Sequence, residues 1–152
     1  MNFRALTQSD LKYMKAVSPD KEFYKDGHEN ISFDHVLEHN GDILVIGGLR
    51  FVNKTTAIGW FDISPAGYEN LLAVYRTICE WMDGYRDSDG HCIKGIIEEL
   101  GIIRLEAYVK ESFGKGIRTV EHLGVEFERT VKKFFGTEDA LLFVKFYDKE
   151  TE

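Results

Sequence analysis

Apolar and polar residues alternate in some stretches of this chain and recur every three to four residues in others, and the switches of period divide it into elements. Across Ile102–Phe127, reading IIRLEAYVKESFGKGIRTVEHLGVEF, Ile103, Leu105 and Ala107 alternate with Arg104, Glu106 and Tyr108, which predicts a half-buried strand. Phe113, Ile117, Val120 and Leu123 then follow helical spacing. Gly124, just past the last of them, is placed to close the helix in a left-handed conformation. Val125, Phe127 and Arg129 resume the period of two, so the stretch reads as strand, helix, strand.

The same reading covers the rest. Phe3–Leu6 is a short strand, and Thr7-Gln8-Ser9-Asp10 fits a capping box for a helix carrying Leu11, Met14 and Val17, which Pro19 ends. Asp20–Asn30 is charged and irregular, and Ile31–His39 forms two turns of helix before the Asn40-Gly41 turn. Ile43–Val52 and Thr55–Ile63 are rich in β-branched and aromatic residues and make a hairpin through Asn53-Lys54. Gly47-Gly48 marks a bulge or a close backbone approach. Ser64-Pro65 opens a long amphipathic helix bearing Leu71, Tyr75, Ile78, Met82 and Tyr85. Asp87-Ser88-Asp89-Gly90 is a turn and Ile93–Leu100 a short helix, and Gly101 leads into the strand described first. Leu141–Tyr147 pairs with Val125–Phe134 through the Gly136–Asp139 turn. Trp60, Trp81, Phe134 and Phe135 read as packing residues.

Composition narrows the class. With 152 residues, 43% hydrophobic and 13% aromatic, the chain can bury a core, and without a linker-like tract or repeat it reads as one domain over 1–152. Runs such as Ile43–Ile46 and Leu141–Val144 are too short to cross a bilayer and Met1–Ser9 is polar, so the expectation is a cytoplasmic protein with no membrane partner. Cys79 and Cys92 lack metal or redox spacing. A net charge of −7 and a pI near 5.3 argue against nucleic acid, and Lys132-Lys133 is a solvated face rather than a phosphate contact. Such a charge suits cationic substrates such as amines.

The helix running into HLGVEFE between two strands, together with the order β, α, short α, β, β, long α, short α, β, α, β, β, resembles the GNAT acyltransferase family. Residue-level likeness lies in Gly41–Ile63 and Leu105–Phe127. The resemblance implies an α+β domain with a mixed, mostly antiparallel sheet, splayed at its middle and covered by helices on both faces. It also implies transfer of an acetyl group from acetyl-CoA to an amine on a small molecule or a host protein, and allows a homodimer. The family's donor site falls here on Phe61, Ile63, Ser64, Ala66, Gly67, Tyr68 and Asn70, where a helix start offers N–H groups and a positive dipole end to the diphosphate. The chain departs from the family pattern there, with Gly67 as the loop's one glycine and Glu69 in the first turn.

A second departure is Val120, which stands where many members carry an acidic tyrosine. Tyr108 and Ser112 are the hydroxyls able to replace it as acid, and Asp62 and Glu106 are the candidate bases for the amine. The short loop, the Trp-Phe-Asp-Ile-Ser-Pro strand end and the missing tyrosine resemble divergent GNAT-like proteins of bacteriophages and prophages. That likeness implies modification of a host protein or a non-enzymatic part in virion assembly. One motif points to another class: His35-Val36-Leu37-Glu38-His39 matches the H-x-x-E-H zinc signature of a peptidase group. The helix available to it is short and no third ligand is evident, so no metal is expected, and His35 and His39 are read as contacts to the acceptor substrate.

Overall fold

The structure is a computed structural model describing residues 1–19 and 34–147, so the irregular stretch expected at Asp20–Asn30 lies outside the described residues. The elements run β1 (Asn2–Ala5), α1 (Gln8–Val17), β2 (Asp34–His39), β3 (Asp42–Phe51), β4 (Thr56–Ile63), α2 (Pro65–Glu69), α3 (Leu71–Asp83), β5 (Gly84–Arg86), β6 (Cys92–Lys94), α4 (Ile96–Glu99), β7 (Arg104–Lys110), α5 (Gly114–His122), β8 (Glu126–Phe135) and β9 (Glu138–Phe146). They gather into two compact units, Met1–Arg50 with Gly59–Val74, and Phe51–Ile58 with the residues from Tyr75 onward.

In the first unit the strand order is β1-β2-β3-β4. The expected capping box starts α1: Thr7 Oγ1 accepts from the Asp10 N–H at 3.3 Å and Asp10 Oδ2 accepts from the Thr7 N–H at 2.8 Å. The helix then buries Leu11 and Met14 against Val36 and Ile46, with Leu6, Val17, Ile43 and Trp60 around them. Arg4 joins three elements, forking onto both oxygens of Asp10 at 2.8 Å and reaching Glu38 through Nε at 2.8 Å. The guanidinium and the Thr7 donors together hold the Asp10 carboxyl down to about 2.

The helix expected over Ile31–His39 is a correction. Residues 34–39 form β2, which pairs antiparallel with both β1 and β3, and 31–33 lie outside the described residues. Asn40 (φ 51°) and Gly41 (φ 84°) are both left-handed, the requirement of a two-residue hairpin turn. The turn signal was real, but it joins two strands instead of ending a helix, because Val36 and Leu37 find Ile46 and Val45 across the ladder. Gly47 is the close approach its sequence announced: a Cβ there would lie 2.6 Å from the Trp60 carbonyl oxygen. The expected long helix is interrupted at Asn70 (φ −120°, ψ 32°), which separates α2 from α3.

In the second unit the order is β4-β7-β9-β8. Thr56–Ile58 runs parallel to Arg104–Glu106, whereas β7 with β9 and β8 with β9 are antiparallel. The helix expected to reach Tyr85 ends at Asp83. Gly84 (φ 85°) turns the chain into β5, where Tyr85 is exposed, and β5 and β6 form a hairpin around the predicted turn at 87–90. The helix expected over Ile93–Leu100 is a further correction: it shrinks to α4, and Ile93 lies on β6. Gly95 is the reason, since it presses on the end of α3 so closely that a Cβ would lie 2.0 Å from the Met82 carbonyl oxygen. The first-described strand, helix and strand are β7, α5 and β8. Val120 and Leu123 are buried, and Gly124 (φ 80°) follows the helix as predicted.

Candidate functional site

In the first unit, residues 61–70 pass from β4 into α2. Ser64 Oγ donates to the carbonyl of Ile43 at 2.5 Å or Leu44 at 3.2 Å, and accepts from the Gly67 N–H at 3.0 Å. The Ser64 carbonyl accepts from the Tyr68 N–H at 3.0 Å. Pro65 fills the first helical position, where its missing N–H costs nothing. Gly67 serves packing: a Cβ would sit 2.2 Å from the Leu44 carbonyl oxygen and 2.7 Å from the Ile63 side chain. Asn70 Nδ2 donates to the Ala66 carbonyl at 2.9 Å. The expected phosphate cradle is therefore a helix start whose Gly67, Tyr68 and Asn70 donors already have protein partners.

Asp62, a candidate base on β4, is buried and accepts from the Ser18 hydroxyl at 3.0 Å beside the end of α1. Phe61 lies against Gly47, and Ile63 is buried. His35 pairs with Gly47 and His39 with Asp42 on β3. Four residues along a strand span roughly 13 Å, so the helical arrangement that would bring both imidazoles to one zinc ion is not formed.

In the second unit, Arg104, Glu106 and Tyr108 alternate along β7 and so share one face of the sheet. Tyr108 Oη donates to Glu106 Oε1 at 3.3 Å, and Arg104 Nε donates to Glu106 Oε2 at 2.7 Å. Arg104 turns its other two nitrogens onto Glu128, at 2.9 and 2.7 Å. The Glu106 side chain is 13% exposed against 35% for Glu128, so the carboxylate nearer the phenol is the more sheltered. Burial, then the charge and hydrogen bond of Glu106, push the Tyr108 phenol above its ordinary value. The Phe134 ring stacks on that of Tyr108 with centroids 4.2 Å apart and planes 3° from parallel.

Ser112 lies just beyond β7, exposed, and both its N–H and its hydroxyl are held by the Glu138 carboxylate. Near Val120 the hydroxyl chemistry is internal: Thr119 Oγ1 donates to the Lys115 carbonyl at 2.8 Å, so its 3.1 Å contact with Tyr75 is donated by the phenol. Asp87, Asp89 and His91 gather their ligand atoms within 4.8 Å, but Asp87 Oδ1 already accepts from the Asp89 and His91 N–H groups as a turn cap.

Of the expected catalytic residues, the structure brings Glu106 and Tyr108 together, while Asp62 and Ser112 each have separate partners. Arg104 and Glu128 were not expected in this cluster, and Phe134, expected only to pack, stacks on the Tyr108 ring. The run Val131-Lys132-Lys133-Phe134-Phe135 breaks alternation with two cations followed by two rings, and that was the available signal for an irregular strand.

No family model and no curated protein matches the sequence. Solved structures do. The chain is similar to the ribosomal-protein-S18-alanine N-acetyltransferase of Escherichia coli, with a TM-score of 0.62 at 16% identity over 98% of this chain and 97% of that one. It is similar to the spermidine/spermine N-acetyltransferase of Vibrio cholerae, with a TM-score of 0.62 at 14% identity over 95% and 91%. A probable acetyltransferase of Staphylococcus epidermidis gives a TM-score of 0.67 at 15% identity over 97% and 99%. The chain thus has the GNAT fold, α+β with a mixed and mostly antiparallel sheet. Among the described residues no helix is long and apolar enough to cross a membrane.

Proposed function

We propose that the chain is a cytoplasmic acyl-CoA-dependent N-acyltransferase that moves an acetyl group from acetyl-CoA to an amine. The observation that carries this reading is the hydrogen bond from Tyr108 to Glu106, which joins on one strand an acid and a base of the kind the reaction needs. An amine arrives protonated, loses one proton to solvent so that its nitrogen can attack the thioester, and loses a second to a base as the C–N bond forms; as the C–S bond breaks, the departing thiolate must gain one. Glu106 is the base and Tyr108 the acid. Asp62 and Ser112 suit these roles less, the first buried against Ser18 and the second held by Glu138.

The fold is one that N-acetyltransferases use, which supports an amine acceptor, and the net charge of −7 suits a cation. His35 and His39 are proposed to face the acceptor. Phe61, Ile63, Ser64, Ala66, Gly67, Tyr68 and Asn70 are proposed to face the donor, whose diphosphate would compete with Ser64 for the N–H groups of the helix start.

That competition favours a second reading, a GNAT-fold protein without turnover that binds a host or phage protein. Calorimetric titration with acetyl-CoA, followed by thiol release with spermidine and with a peptide bearing an N-terminal alanine, separates the two. Saturable binding with thiol release supports the transferase. Binding without release supports the second reading, and no binding at millimolar donor ends the enzymatic one.

A further inference from the structure

β8 departs from a regular ladder twice, and each departure delivers a side chain to the same row of β7. Phe127 pairs with Phe143 and Arg129 with Leu142, so Glu128 is the residue the ladder skips, and its carboxylate takes the Arg104 fork. The register slips again between Val131 and Phe135, where Lys133 is left-handed (φ 53°) and Phe134 lands on Tyr108. A left-handed lysine is unfavourable and is held here by Asp139, which accepts the Lys133 N–H at 2.9 Å. A bulge re-aims a side chain at the expense of ladder hydrogen bonds. Two bulges in one strand, both aimed at Arg104, Glu106 and Tyr108, mark a device for holding that row.

We propose that Glu128, acting through Arg104, is a positioning residue that fixes the Glu106 carboxylate against the Tyr108 phenol so that the two work as one proton relay. The inference rests on the transferase reading above. The charged groups facing the phenol are Glu106 and Arg104 from β7 and Arg129 from β8, with Glu128 behind Arg104. Arg104 suits the task because its planar guanidinium holds one carboxylate by a fork and a second through Nε, which an ammonium cannot do. In the relay the ammonium has first lost one proton to solvent; Glu106 takes the second from the nitrogen as the C–N bond forms, and Tyr108 gives its own to the thiolate as the C–S bond breaks. The proton on Glu106 then passes along their shared hydrogen bond to restore the phenol. The C–N bond formed and the C–S bond broken leave an amide and free CoA thiol, with both side chains back in their starting states.

The test is a double-mutant cycle between Glu128→Ala and Tyr108→Phe, reading kcat, KM for acetyl-CoA and the melting temperature. Glu128→Ala should lower kcat about tenfold to a hundredfold, a fraction of what a placed acid or base supplies, with KM unchanged. Glu128→Gln, which keeps one acceptor for Arg104, should fall between. In the Tyr108→Phe background, Glu128→Ala should then have almost no further effect on kcat, because residues acting as one unit are not additive. Equal losses from Glu128→Ala in both backgrounds, or a lowered melting temperature with kcat intact, would overturn the positioning role while leaving the transferase standing. Absence of thiol release from the unaltered protein would overturn both.

Discussion

The helix start at 64–70 and the β7 row of Arg104, Glu106 and Tyr108 both carry polar residues where chemistry was expected, and they use them in opposite ways. At the helix start Ser64 takes the N–H groups of Gly67 and Tyr68 and donates its own proton to β3, so the turn satisfies itself. On β7 the polar side chains take partners that another strand reaches only by breaking its own ladder twice. A serine before a proline is first of all a helix start, whatever else it does. Polar groups held by partners that strain a neighbouring strand are harder to explain by stability, and that difference is why the row on β7 carries the functional reading.

Mutants at the two places should fail in different ways. Glu106→Gln should cut thiol release by about 10²–10⁴-fold, the worth of a placed base, and leave the melting temperature within a few degrees. A variant equally active would move the chemistry off β7. Gly67→Val should act on folding, costing about 3 kcal/mol in urea denaturation, because its side chain meets the Leu44 carbonyl and Ile63. If this variant kept full stability yet lost acetyl-CoA binding, Gly67 would serve the proposed donor contact and not packing. Ser64→Ala should cost about 1–2 kcal/mol through the lost cap.

A smaller effect sharpens the contrast with a second self-satisfied cap. Asp10 is held from 3.8 down to about 2, so its contribution is present above the unfolded value and lost as the pH falls through the folded one. Between pH 4 and pH 2 the unaltered protein should therefore lose about 1–2 kcal/mol that Asp10→Asn does not lose, a modest figure because Arg4 is partly exposed. Equal acid sensitivity in both proteins would show that the Arg4 pair contributes nothing measurable.

Much of the fold was legible because it rests on local chemistry. The Thr7–Asp10 box, the Asn40-Gly41 turn, the Ser64-Pro65 start and Gly124 all behave as their residue types require. What failed depended on distant partners. Residues 34–39 are strand because β1 and β3 flank them, and Gly95 ends a helical pattern because the α3 backbone lies against it. In the site, the spacing of Glu106 and Tyr108 showed that they share a face. Nothing local showed that Arg104 would link Glu106 to Glu128, which lies 24 residues from it in the chain.

Acetyl transfer from acetyl-CoA to an amine is tested most directly by product stoichiometry. Purified protein should convert a primary amine to its acetyl amide, detected by mass spectrometry, with one free CoA thiol released per amide formed and a rate that saturates in acetyl-CoA. Saturable acetyl-CoA binding without amide or thiol would contradict the claim and leave a fold that holds the donor but does not spend it.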